Sequence, residues 1–210
     1  MSFEYGNLPS ATDPRSLAHQ ASHVRASLEE SISVKEKTVA QADLIVAAAN
    51  LMLDSLHHNG TVFFVGNGGS AADCQHIATE LVGRFERDNR LPAIALTTDS
   101  STLTALANDF GYDTVFSRQV EALVRPGDCL IAISTSGKSV SVNLAVQAAR
   151  AKQAHVIGLT GKDGGTLKEL CDVCIVVPSS RTCRIQETHI AIGHIFCELI
   201  EEQLSASTQS

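Results

Sequence analysis

Apolar residues recur at helical spacing near the start of the chain. Leu17, Ala21, Val24, Leu28 and Ile32 stand three or four apart, which predicts a helix over 16–39 with one narrow apolar stripe. From 40 to 56 apolar side chains run nearly all round (Leu44, Ile45, Val46, Ala47, Ala48, Ala49, Leu51, Met52, Leu53), the pattern of a helix buried on every side. Two helices ahead of any strand suggest packing between subunits as well as within a domain. After His57-His58-Asn59-Gly60 the pattern changes. Short, nearly continuous apolar runs at 61–65, 93–97, 129–134, 155–160 and 173–177 read as strands covered on both faces. Helical stretches fall between them at 70–86, 101–107 with 114–124, 139–152 and 167–170, and a last helix is expected over 182–205. Such alternation predicts an α/β fold, a three-layer α/β/α sandwich on a five-stranded parallel sheet, preceded by two N-terminal helices. One domain is expected over 15–206, with 1–14 a flexible N-terminus and 15–58 used in oligomer packing.

Composition adds limits. The 210 residues suffice for one substantial domain, and with 4% aromatic residues and no Trp the core must be aliphatic. A net charge of −7 argues against nucleic-acid backbone binding, which needs clustered Lys and Arg. No leader-like N-terminus and no run of roughly 18 apolar residues is apparent, so no membrane partner is expected. Free thiols then point to a cytoplasmic location. Most of the six cysteines sit in apolar runs and read as small core residues. Cys171-x-x-Cys174 has the spacing of a redox pair or half a zinc site, but no second CxxC accompanies it.

In open parallel sheets ligands bind beyond the carboxyl ends of the strands, near the switch in strand order. Two loops there are suited to anions. Gly66-Asn67-Gly68-Gly69-Ser70 offers backbone amides and a helix N-terminus. Its loose match to a dinucleotide fingerprint lacks the acidic residue expected some 20 positions on. Ser134-Thr135-Ser136-Gly137-Lys138-Ser139 places hydroxyls around a glycine before a helix. Gly137-Lys138-Ser139 imitates a P-loop, but that motif needs a glycine where Ala132 stands. The bland alternative is a serine-rich turn capping a helix. Asn108-Asp109 alone reads as a helix end.

His76 and Glu80, four apart, share a helix face above the glycine loop. Polar Gln186 and His194 project from an otherwise apolar final helix. Eight residues separate them by roughly 12 Å along the axis, so one of the two is expected to serve a neighbouring subunit's site.

Taken together, Gly66 through Asp73, Gln75 through Phe85, Pro92 through Leu96, Asn108 through Gly111, Ser134 through Gly137, Leu159 through Gly165 and Arg184 through His194 resemble the phosphoheptose isomerases. These are the sedoheptulose 7-phosphate isomerase branch of the sugar isomerase (SIS) domain proteins, with a flavodoxin-like fold. The likeness covers roughly 20–203 in consistent order. It implies an aldose–ketose isomerase forming D-glycero-D-manno-heptose 7-phosphate through an enediol, the first step towards activated heptose (ADP- or GDP-linked) for surface polysaccharide such as lipopolysaccharide. It implies a homotetramer with active sites between subunits, and one zinc per subunit held by His76, Glu80, Gln186 and His194. Substrate contacts are implied for Asn67, Gly68, Gly69, Glu80, Asn108, Asp109, Ser134, Thr135, Ser136, Ser139 and Gln186. Glu80 is the expected base and His194 its acid–base partner. Lys138 stands where these proteins often have Asn, and would either charge the anion cradle or point to solvent. The competing reading is a non-catalytic SIS scaffold or regulator of the DnaA initiator-associating type. That scaffold lacks the acid matching Glu80 and the histidine matching His194.

Overall fold

The computed structural model describes residues 14–88 and 90–207. The expected loose segment thus falls outside the described residues except for its last position. In chain order the elements are α1 (Pro14–Thr38), a 3-10 turn (Val39–Gln41), α2 (Ala42–His57), β1 (Val62–Gly66), α3 (Gly69–Val82), β2 (Ala93–Ala95) and α4 (Ser100–Phe110). A 3-10 turn (Tyr112–Thr114), α5 (Ser117–Leu123), β3 (Cys129–Ser134), α6 (Val140–Ala151), β4 (His155–Gly161), α7 (Leu167–Leu170), β5 (Val173–Val177) and α8 (Thr182–Ser207) follow. The five strands pair in parallel in the order β2-β1-β3-β4-β5. The order therefore reverses between β1 and β3, and the two candidate anion loops leave those strands side by side.

Alternation along each strand divides the core. Phe64, Ile131, Ile157 and Leu159 face one layer, packed with α2, α3 and α8. Phe63, Val65, Leu130 and Val156 face the other, with α5, α6 and α7. Removing any one of these large side chains to Ala is worth roughly 2–5 kcal/mol. The three-layer sandwich expected from the pattern is the one found.

Four expectations need correction. First, α2 is not buried all round. Ile45, Ala48, Ala49, Met52 and Leu53 lie in the core, but Leu44 and Val46 are 43% and 45% exposed, because only one side of α2 meets the sheet and α8. Second, 16–57 does pass a length and hydropathy test for a membrane span. The apolar residues responsible lie mostly on α2, where five of them pack in the core. Third, the second strand stops at Ala95, where the chain turns and Thr98 Oγ1 donates to the Ala95 carbonyl at 3.1 Å. Fourth, α3 ends at Val82. The following loop donates Glu86 N and Arg87 N to Oε1 of buried Glu201 on α8, a tether with no local sequence signal.

The outer edge of β5 has an unusual partner. Gln41 donates its side-chain amide to the Val176 carbonyl at 2.8 Å and accepts from Val176 N at 3.0 Å.

Candidate functional site

The glycine loop turns sharply into α3. Gly68 has φ +56°, a left-handed conformation suited to glycine, and caps the helix. Gly69 lets Gln186 come close: a Cβ there would lie 2.5 Å from Gln186 Nε2, so the amide would have to shift. Gln186 is thereby pressed against the start of α3.

Asn67 is the hub between the two loops. Its Nδ2 donates to Ser139 Oγ at 2.8 Å and Ser141 Oγ at 3.0 Å, while its Oδ1 accepts from the Tyr112 hydroxyl at 2.7 Å. Ser139 therefore does not cap α6 with its side chain. Asn67, Ser70, Ser134, Thr135, Ser136, Ser139, Thr182 and Gln186 line a cavity of about 290 Å³. Hydroxyls and amides converge there at the N-terminal ends of α3 and α6, so the cavity suits a small anion. Lys138 does not reach into it. Its Nζ pairs with Asp163 Oδ2 at 2.9 Å on the exposed rim.

The serine loop is braced from outside. Gly137 (φ +64°) and Gly165 (φ +52°) pack backbone to backbone, with no room for a side chain on either. Leu167 N, the first of α7, donates to the Gly137 carbonyl at 3.0 Å.

A second cluster lies about two turns further along α3. His76 Nε2 and His194 Nε2 are 2.9 Å apart, so one imidazole donates and the other accepts. Glu80 Oε1 lies 3.5 Å from His76 Nε2, and Phe85 stacks on the His194 ring with centroids 5.7 Å apart. Gly193 allows this approach of α8 to α3, since a Cβ there would meet Ile77 at 2.6 Å. Asp73, one turn before His76, has one buried oxygen without a partner. Burial pushes its carboxyl pKa up, and His76 pulls it back down.

The structure thus brings His76, Glu80 and His194 together within one chain and places Gln186 beside the serine loop instead. Asn108 and Asp109 lie on the exposed last turn of α4, where Asn108 Nδ2 donates to Asp109 Oδ1 at 2.8 Å. Neither lines the cavity; Tyr112, just beyond, reaches Asn67 instead. Tyr112, Ser141 and Thr182 escaped the reading of the loops.

Two imidazoles and a carboxylate are the donor types that hold zinc. Their present contact is too close for a shared ion: two nitrogens on one tetrahedral zinc stand roughly 3.3 Å apart. Among the described residues no three His, Cys, Asp or Glu side chains form a ready metal centre.

The SIS domain family matches residues 26–161. A phosphoheptose isomerase of Roseiflexus sp. (strain RS-1) is 54% identical over 179 residues, covering 84% of this chain and 91% of the relative. The chain belongs to the SIS-domain phosphoheptose isomerase family. A solved SIS structure, phosphoheptose isomerase GmhA from Neisseria gonorrhoeae, superposes with a TM-score of 0.83 at 47% identity, over 87% of this chain and 99% of that one. A phosphoheptose isomerase from Francisella tularensis gives the same TM-score at 37% identity, over 87% of this chain and 98% of that one. The two clusters described above sit on the loops after β1 and β3 and on the facing surfaces of α3 and α8.

Proposed function

We propose that this chain interconverts D-sedoheptulose 7-phosphate and D-glycero-D-manno-heptose 7-phosphate. The observation that carries this reading is the separation of two unlike sites along α3. A hydroxyl-lined anion cavity lies at its N-terminus, and an acid–base cluster lies roughly 10 Å further on. A heptose 7-phosphate has the same layout, with its phosphate at one end and its reacting carbons, C1 and C2, at the other.

The isomerisation moves a proton between those carbons through an enediol. Glu80, about one-fifth exposed beside His76, takes the proton from one carbon and returns it to the next. His194 is the partner acid–base that passes a proton between the neighbouring oxygens. Asn67, Ser134, Thr135, Ser136 and Ser139 hold the phosphate and its adjoining hydroxyls. Zinc bound by His76, Glu80 and His194 would polarise the carbonyl and hydroxyl oxygens. Gln186 is the fourth donor expected from the family resemblance, and since it lies by the serine loop and apart from the His76–Glu80–His194 cluster of its own chain, we assign it to a site shared with another copy.

A homotetramer is part of this proposal. Leu17, Val24, Leu28 and Ile32 on α1 and Leu44 and Val46 on α2 are all exposed. A strongly apolar hollow of about 380 Å³ between α2 and α8 is lined by Val39, Ile45, Ile192, Ile195 and Leu199 among others. These faces are suited to cover by further copies of the chain. A cytoplasmic place, at the start of activated-heptose synthesis for surface polysaccharide, completes the reading.

The deciding experiment incubates purified protein with sedoheptulose 7-phosphate and follows aldose formation, with and without a chelator. Turnover that is lost on chelation and restored by zinc is expected. No turnover by folded, zinc-supplied protein rejects the assignment.

A further inference from the structure

One reactive pair takes no part in the site described above. Cys171 follows the last residue of α7, and Cys174 lies in β5, in register with Gly158 of β4. Gly158 leaves a notch that both sulfurs fill. A Cβ at that position would lie 2.7 Å from Cys171 Sγ and 2.9 Å from Cys174 Sγ. The two thiols converge on one point and share a hydrogen bond. Both residues are only partly buried.

The other cysteines differ. Cys74, Cys129 and Cys197 are buried, and burial pushes all three thiols up, Cys197 to about 12. Cys183 is exposed but stands alone. In the pair, the hydrogen bond raises Cys171 and lowers Cys174, and Lys168 on α7 also favours a Cys174 thiolate. One sulfur is thus prepared to attack and the other to resolve.

The pair is mechanically close to the serine loop. α7 has four residues, Leu167–Leu170. Its first amide is bonded to Gly137 of that loop, and Cys171 directly follows its last residue. Movement of Cys171 towards β5 therefore pulls on the backbone that shapes the anion cavity.

We propose that Cys171 and Cys174 form a reversible dithiol–disulfide switch, closed by small disulfides such as oxidised glutathione and transmitted through α7 to the serine loop. The transmission rests on the proposed anion-holding role of that loop; the thiol chemistry does not. The Cys174 thiolate attacks one sulfur of the small disulfide, which forms a mixed disulfide and expels one small thiolate. Cys171 gives up its proton and attacks Cys174 Sγ, closing the protein disulfide and expelling the second. The protein loses two electrons and two protons, and the small disulfide leaves as two thiols.

The test uses the full chain carrying Cys183→Ser, equilibrated in graded mixtures of reduced and oxidised glutathione. In oxidising mixtures the peptide holding both cysteines is expected to lose two hydrogens and resist alkylation, reversibly with dithiothreitol. Adding Cys171→Ser should trap glutathione on Cys174. Full alkylation of both cysteines in oxidising mixtures overturns the switch, whatever the isomerase assay shows. The Kd for inorganic phosphate, titrated by phosphorus NMR, should rise up to about tenfold on oxidation, the worth of one hydrogen bond. A disulfide that forms without changing that Kd overturns the transmission.

Discussion

At the scale of single residues, what could be read in advance was chemistry carried on one helix. His76 and Glu80 were visible because a spacing of four puts two side chains on one helical face. Tyr112 and Ser141 were not visible, because their contacts with Asn67 join positions 45 and 74 residues apart. His189 belongs with the second kind. It is buried on α8, its Nε2 pairs with the Thr160 carbonyl at 3.0 Å, and its Nδ1 has no partner. Thr160 is the neighbour of Ser134 in the sheet, so this bond anchors α8 beside the serine loop. Burial lowers the His189 pKa from 6.5 to about 4. The folded state thus stays unprotonated at a pH where the unfolded chain already binds a proton. Stability from this group is full above pH 6.5 and is lost as pH falls towards 4, by roughly 3 kcal/mol. Urea unfolding across that window should show a steep fall for the wild type and a flatter one for His189→Gln, which starts from lower stability at neutral pH. Parallel curves would show that His189 does not titrate as its burial dictates.

At the scale of elements, strand existence was legible because continuous apolar runs have few other uses at that length. Strand ends were less so, as the early stop of β2 at Ala95 depends on a turn and a threonine hydroxyl. The loop after α3 is held by Glu201, more than a hundred residues away. The facing of α3 and α8 was likewise hidden, since it is set by two glycines, Gly69 and Gly193, whose value lies in what they allow to come close. Gly193 is the sharper case. An added methyl meets Ile77, which is only 2% exposed and adjoins His76. Gly193→Ala should therefore lower stability by about 1–3 kcal/mol through overpacking. It should also spread His76 from His194 and lower kcat more than it raises KM. Thermal melts and steady-state kinetics on the same preparation read both effects. A variant that melts lower with unchanged kcat would separate the helix spacing from the chemistry.

At the scale of the whole molecule, the order of helices and strands fixed the architecture, but not where one site ends and the next copy's begins. The hydrophobic pattern of α2 exceeded what its own chain covers, and that surplus was legible only as surplus. His194 touches His76 of the same chain, whereas Gln186 lies by the serine loop, so a mixing experiment should divide the site between those two groups. Chains carrying Glu80→Gln and chains carrying Gln186→Ala, each inactive alone, are expected to regain activity when unfolded together and refolded as mixed tetramers. Mixtures as inactive as their parents would place a complete site in every chain. The way these copies meet is also constrained by Gln41. Its carboxamide offers β5 one donor and one acceptor in place of a neighbouring strand, and β2 at the opposite border spans only three residues. Neither border of the sheet presents a long free ladder for a second sheet to extend. Growth by strand addition, which has no natural end, is discouraged at both sides. The proposed association is left to helical faces, where a symmetric contact would close into an assembly of finite size.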